Sequence, residues 1–372
     1  MSAHICPVVK LGPAKPIEGA DKIVFFEIEG SGPVVVQKGT FNEGDLACFI
    51  PPETMVDTSL GVFGFLASKA RKSDGWAKIR PVRLRGQLSV GLLVPPVGNE
   101  GSNGADKYKV KKIEDFEPVR VEHVAGKKNL PFFRKLWLKI TGKYQEENKL
   151  LWPGIPVYDI NQLYKMPKDI FADDELMCVT EKLHGTNARY VIGKNGKLFC
   201  GSRTMWRVHD ATNVYGRAAL EGRLEEKLKR LAEPLVLWGE IVGPSIQRGF
   251  SYGCRDGEIK FYAFDFYHAT ERRFLDPNET KDICHWLSID CVPILSIAKW
   301  SETKTKLTSL AASSANWHGY GHPKEGVVVR PWQGVRETHA LDGSRCLVAG
   351  KVINPAYLEF REKPGMDEQI IL

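Results

Sequence analysis

The chain has 372 residues, of which 43% are hydrophobic, 26% charged and 10% aromatic; this is the balance of a globular protein and excludes a disordered, collagenous or coiled-coil chain. Its length accommodates two domains, or three small ones, at about 100–200 residues each. A net charge of +7 suits a polyanionic partner, although solubility alone explains such an excess equally well.

In chain order, β-structure comes first. Residues 23–29 and 34–37 are rich in β-branched and aromatic side chains, with a turn at Gly30–Gly32 between them. The turn Asn42-Glu43-Gly44-Asp45 leads into an apolar strand over 46–50, stopped by Pro51-Pro52. Further strands are expected over 78–84 and 90–94, the second closed by Pro95-Pro96. Short strands with frequent turns imply a small barrel or sandwich. Lys69, Arg71, Lys72, Lys78, Arg80, Arg83 and Arg85 cluster here against one acid, Asp74. Lys78 and Arg80, like Arg83 and Arg85, are two apart, so each pair is expected on one strand face. A second basic stretch, 127–143, is interleaved with Phe132, Phe133 and Trp137. Basic residues beside aromatic ones suit a phosphate backbone with its bases, and a solvated face with a linker helix is the plainer alternative.

The expected organisation is a β-domain over 1–105, a basic linker over 106–150 and an α+β domain over 151–372. In the last, Leu220, Leu224, Leu228 and Leu231 fall on one face of an expected helix. Asp276-Pro277-Asn278-Glu279 reads as a capped helix start, with the helix running to about Leu287. The segment Thr180-Glu181-Lys182-Leu183-His184-Gly185-Thr186-Asn187 places a lysine between a strand over 177–180 and one beginning at Ala188, which turns at Asn195-Gly196 and returns through 198–201. A lysine in a strand-turn-strand cradle suits a nucleophile whose phosphate target must approach the backbone; a surface lysine beside an ordinary turn is the alternative.

The lysine segment resembles the nucleotide-binding motif of the covalent nucleotidyltransferases, the superfamily of DNA ligases, RNA ligases and capping enzymes. Ser202-Arg203, Leu237-Trp238-Gly239-Glu240, the strand 261–266 with Phe264, Glu325-Gly326 and Gly350-Lys351 follow in the family's order. His184, two residues after the lysine, is similar to the nick-sealing RNA ligases, whereas DNA ligases and capping enzymes usually carry aspartate. Ile17 to Ile23, with Lys38-Gly39 and Gly44-Asp45, resembles OB-type modules related to tRNA-binding domains. Together these resemble the RNA-ligase branch that carries an OB-like domain before its catalytic domain. Only about twenty residues follow the last motif, so no second OB module is expected after it.

The resemblance implies an OB-like barrel followed by a two-sheet nucleotidyltransferase domain with flanking helices, acting as an ATP-dependent RNA ligase. Lys182 would take AMP from ATP, pass it to a 5′-phosphate, and a 3′-OH would displace it. Lysine is almost wholly charged at neutral pH, so neighbouring cations such as Arg203 and Lys351 are expected to lower its pKa. Catalytic roles fall to Lys182, His184, Glu325 and Lys351; Glu181, Gly185, Asn187, Arg203, Glu240 and Phe264 complete the nucleotide contacts. Phe264 either stacks on adenine or is a core aromatic. Glu325 is the expected metal contact, with Mg²⁺ or Mn²⁺ held mostly by phosphates and waters. Lys78, Arg80, Arg83 and Arg85 would grip nucleic acid, a nicked duplex with an RNA 3′-OH strand. Many relatives carry a second basic residue where this chain has Ile353; Arg345 or Arg361 is the candidate substitute. A DNA ligase, a capping-type enzyme and a binding relative without turnover remain alternatives. The 8 cysteines, with no CxxC pair, fit buried thiols rather than disulfides or structural zinc. With no apolar run near the roughly 18 residues of a membrane span and no signal-like N-terminus, an intracellular monomer without membrane contact is expected.

Overall fold

The computed structural model describes residues 5–71, 73–112, 150–207, 209–312 and 321–361. Lys72 and the basic stretch over 127–143 lie outside them. The N-terminal domain is built from β1 (Val8–Lys10), β2 (Lys15–Ile17), β3 (Ala20–Ile28), β4 (Gly32–Gln37), β5 (Leu46–Ile50), β6 (Thr54–Asp57), β7 (Trp76–Lys78), β8 (Val82–Leu84), β9 (Gln87–Ser89), β10 (Leu92–Val94) and β11 (Lys111–Lys112). β5 is central, pairing with β1 and β10, while β2-β3-β4 and β11-β6-β7 form two further ribbons. Its apolar run is explained by burial on both faces: Ala47 and Phe49 pack with Phe26 and Val34, Cys48 and Ile50 with Val56 and Phe63.

The expected strand over 78–84 is two strands. β7 ends at Lys78 and β8 starts at Val82, because Pro81 has no amide hydrogen for a continuous ladder. β8 and β9 close a hairpin in which Leu84 faces Gln87. The two turn residues, Arg85 and Gly86, both have positive φ (51° and 82°), the signature of a tight hairpin turn. The domain also runs past residue 105: Tyr108 and Val110 are buried in its core and β11 pairs with β6.

The second domain is two antiparallel sheets. One contains β12 (Leu176–Lys182), β19 (Ile294–Lys299), β20 (Gly326–Pro331) and β23 (Gly350–Ile353), in the order β19-β12-β20-β23. The other contains β13 (Thr186–Ile192), β14 (Leu198–Gly201), β15 (Trp206–Arg207), β16 (Leu235–Val242), β17 (Lys260–His268) and β18 (Arg273–Phe274), in the order β15-β14-β13-β16-β17-β18. A small ribbon, β21 (Glu337–His339) with β22 (Arg345–Leu347), stands apart. The helix Trp300–Ala312 covers the outside of the four-stranded sheet, with Trp300 and Leu307 on Met177, Val179 and Val327. The helix Pro277–Leu287 covers the six-stranded one through Cys284 and Leu287. Its start is the capping box expected from the sequence: Asp276 accepts the Glu279 amide at 2.8 Å and Glu279 accepts that of Asp276 at 2.9 Å.

The single helix expected through Leu220 and Leu231 is broken. Val214–Glu221 and Leu224–Leu228 are separate helices because Arg223 sits in the left-handed region with φ 52°. Leu224 and Leu228 are buried, whereas Leu220 faces solvent. The domains dock directly. Phe49 meets Tyr164 edge-on at 5.5 Å, and Arg83 clasps Glu359 of the helix Pro355–Arg361 through two contacts of 2.8 Å. No helix among the described residues is long and apolar enough to cross a membrane.

Candidate active site

The chain crosses from one sheet to the other between Lys182, the last residue of β12, and Thr186, the first of β13. This crossover opens a cleft of about 250 Å³, floored by both sheets. Gly185 has no room for a side chain: a Cβ there would lie 2.1 Å from the Ile241 carbonyl oxygen. Its amide donates to the Glu240 carboxyl at 3.0 Å, so the turn and the acid hold each other.

Lys182 Nζ lies 2.8 Å from Glu325 Oε1. Burial favours the neutral amine, but the Glu325 and Glu240 carboxylates outweigh it and raise the lysine above its usual range. The sequence-based expectation of a lowered Lys182 is thus reversed. The lysine that is lowered is Lys351, to about 8, by burial and then by the charge of Lys182. Burial also pushes the Glu240 carboxyl up to about 8, opposed by the charge of Lys182.

His184 points beneath the lysine. Its Nδ1 is 3.2 Å from the Tyr357 hydroxyl and 3.9 Å from Glu325 Oε2, and its amide donates to the Tyr252 hydroxyl at 2.7 Å. Burial against Phe250 and Tyr357, with Lys182 nearby, drives its pKa down to about 3. The imidazole is neutral. Asn354 fixes the strand entry beside it: it is buried, its amide donates to the Glu325 carbonyl at 2.8 Å and its side chain to the Lys324 carbonyl at 3.0 Å.

On the opposite wall Phe264 packs against Tyr158 at 4.8 Å. Arg330, from β20, pairs with the buried Asp265 at 2.5 Å and donates to the Phe264 carbonyl at 3.0 Å. Arg203 stands at the mouth, 3.7 Å from Asp159. An aromatic wall, a lysine between two acids and a rim of cations make a container for a nucleotide and its phosphates.

Residues 175–346 match the RNA ligase family model, and residues 5–96 match an OB-fold domain model. A segment that matches the RNA ligase family thus follows one that matches an OB-fold domain. No curated protein sequence matches. Among solved structures, the chain is similar to Naegleria gruberi RNA ligase with pyrophosphate (TM-score 0.68, 23% identity, 97% of this chain and 99% of that one). A lysine-to-alanine mutant of that enzyme with ATP and manganese gives TM-score 0.67 at 23% identity, over 96% and 99% of the two chains. A glutamate-to-alanine mutant with AMP and manganese gives 0.66 at 22%, over the same shares. At this identity the likeness establishes the fold.

Within the second domain, Glu181, Lys182, Asn187, Arg203, Glu240, Phe264 and Lys351 all line the cleft, with Gly185, His184 and Glu325 against it. Neither expected pair of cations shares one strand: β7 ends at Lys78 and leaves Arg80 in the connection to β8, and β8 holds Arg83 but ends before Arg85. Lys78 is drawn to Glu53 at 3.1 Å, Arg83 is spent on Glu359, and Arg85 is in the turn rather than on a strand. Ile353 faces Gly326 across the β20–β23 ladder. Of its two candidate substitutes, Arg345 is tied to Glu337 on the outlying ribbon, whereas Arg361 lies 5.8 Å over the Tyr357 ring. The sequence reading missed Arg330, Asp265, Asn354 and Tyr357. Arg330 and Asp265 had a signal, each as the lone charge inside the apolar run of its strand.

Proposed function

We propose that this protein is an ATP-dependent RNA ligase that joins a 3′-OH to a 5′-phosphate through lysyl-AMP and adenylylated-strand intermediates. The observation that carries this reading is Lys182 held 2.8 Å from Glu325 in a cleft that also presents Glu240, Phe264 and Lys351. In the first step the Nζ–Pα bond forms, the bond from Pα to the bridging oxygen breaks, and pyrophosphate leaves with the electron pair. Lys182 must first give up a proton, and Glu325 Oε1 is the acceptor within reach. The incoming polyphosphate is anionic and competes with Glu325 for the Lys182 ammonium, while the cations Lys351 and Arg203 favour loss of its proton. Lys351 and Arg203 face the phosphates, Phe264 offers its ring to the base, and Glu240 meets the ribose hydroxyls. A 5′-phosphate oxygen then attacks Pα and the P–N bond breaks. Finally the 3′-OH attacks the activated phosphorus and AMP departs.

Magnesium or manganese, when bound, neutralises the leaving pyrophosphate. Glu325 is the carboxylate that would hold it. A hard cation of this kind keeps waters and phosphate oxygens as its other ligands.

The Naegleria enzyme is named for ATP, AMP and pyrophosphate complexes, which supports ATP as the donor here. Incubation with labelled ATP or labelled GTP, followed by denaturing separation, is the direct test. An adduct from ATP that disappears in Lys182→Ala is expected; an adduct from GTP alone overturns the ligase reading. Sealing of matched RNA and DNA nicks then assigns the strand chemistry, and a steep fall of nicked-duplex affinity with salt is expected from phosphate contacts.

A further inference from the structure

One buried cation plays no part in the steps above. Arg189 of β13 is 4% exposed, and no carboxylate among the described residues pairs with it. Its guanidinium lies 4.1 Å from the Trp206 ring and 5.4 Å from that of Trp238. Its Nε has no hydrogen-bond acceptor, and neither has Nε1 of Trp238. Burial alone pulls its pKa down, to about 10, and it stays charged.

The register explains how this row is assembled. Arg189 faces Trp238 on one side and Gly201 on the other, and Gly201 in turn faces Trp206. With no side chain at Gly201, Trp206 reaches over it to the guanidinium. A Cβ there would lie 2.3 Å from the Met205 carbonyl oxygen, because residues 202–205 turn tightly, with the Ser202 amide donating to that same oxygen at 2.9 Å. Arg203, at the tip of this turn, lines the nucleotide cleft. The next row of the same sheet face is Asn187 beside Glu240, which also lines the cleft. Alternate residues of a strand are about 7 Å apart, so the guanidinium is one pleat behind the cleft wall.

A buried charge with no counter-charge is costly to the fold, and two indole faces offset only part of that. We propose that Arg189 is a positioning and selectivity residue for the anionic half of the nucleotide: its charge is met only when phosphate enters the adjacent cleft, and its tryptophan clamp holds the Arg203 turn. This rests on the nucleotide reading above. At an effective dielectric near 20, a unit charge about 10 Å from a bound anion changes its binding by roughly tenfold.

The test is equilibrium binding to the full chain, carrying Lys182→Met so that ATP is not consumed. ATP, inorganic pyrophosphate and adenosine are compared in Arg189 and in the variants Arg189→Met, Arg189→Gln and Arg189→Lys. Expected are losses of at least tenfold for ATP and pyrophosphate in Arg189→Met, a change under about threefold for adenosine, and substantial recovery in Arg189→Lys. Arg189→Gln keeps a polar head without the charge and must repeat the pattern, which covers the case that the methionine variant does not fold. Parallel losses for ATP and adenosine, or unchanged ATP binding, overturn the proposal while leaving the ligase reading intact. A parent that binds no ATP and forms no adduct overturns both.

Discussion

Cations in the β8–β9 hairpin and cations in the cleft come from the same residue types, but their surroundings separate them. Arg83 is half exposed and Arg85 sits in an exposed turn, so water and salt screen whatever they touch. Lys182 and Lys351 lie between packed sheets, where two carboxylates move one lysine up and burial moves the other down. Charge density in the sequence therefore marked the more solvent-screened region. What gives a charge its leverage here is exclusion of water, and that depends on which strands come together.

Substitutions should divide along the same line. Lys182→Ala is expected to lower adduct formation by at least about a thousandfold, since no other amine replaces the bond it forms; a residual adduct in mass spectra would break the contrast at its strongest point. Arg330→Leu leaves Asp265 buried without its counter-charge, and denaturant unfolding should register a loss of about 3–5 kcal/mol, whereas a change below about 1 kcal/mol would mean the pair is solvated. His184 sharpens the comparison through pH. Its folded pKa of about 3 lies below the unfolded value of about 6.5, so the unfolded chain takes the proton first and stability falls as pH drops below 6.5. That share is roughly 2 kcal/mol between pH 6.5 and 5 and should vanish in His184→Asn. The hairpin anchors the small end: Arg83→Ala should cost no more than about 1 kcal/mol in unfolding and leave nicked-duplex affinity within about twofold.

Local features were legible. The Asn195-Gly196 hairpin, the box at Asp276 and the continuous apolar run of β5 each depend on neighbours a few residues away, and the structure has them where the sequence puts them. The lysine segment was legible as a motif, but its charge state was not. That depends on Glu240 and Glu325, which only the β12–β20 and β13–β16 pairings bring to it. Arg330 with Asp265, 65 residues apart, and Arg83 with Glu359, 276 apart, belong to the same class: nothing in either segment alone announces the other. The break at Arg223 escaped for a different reason. Leucine spacing describes which side chains lie on one face of an ideal helix, and says nothing of a single residue that leaves helical φ and ψ.

The short helix Pro355–Arg361 touches both domains at once, with Glu359 held by the barrel's Arg83 and Tyr357 set against His184. Less than one helical turn separates the two side chains. One short helix thus carries both the clasp between the domains and the hydroxyl that meets the imidazole beside Lys182.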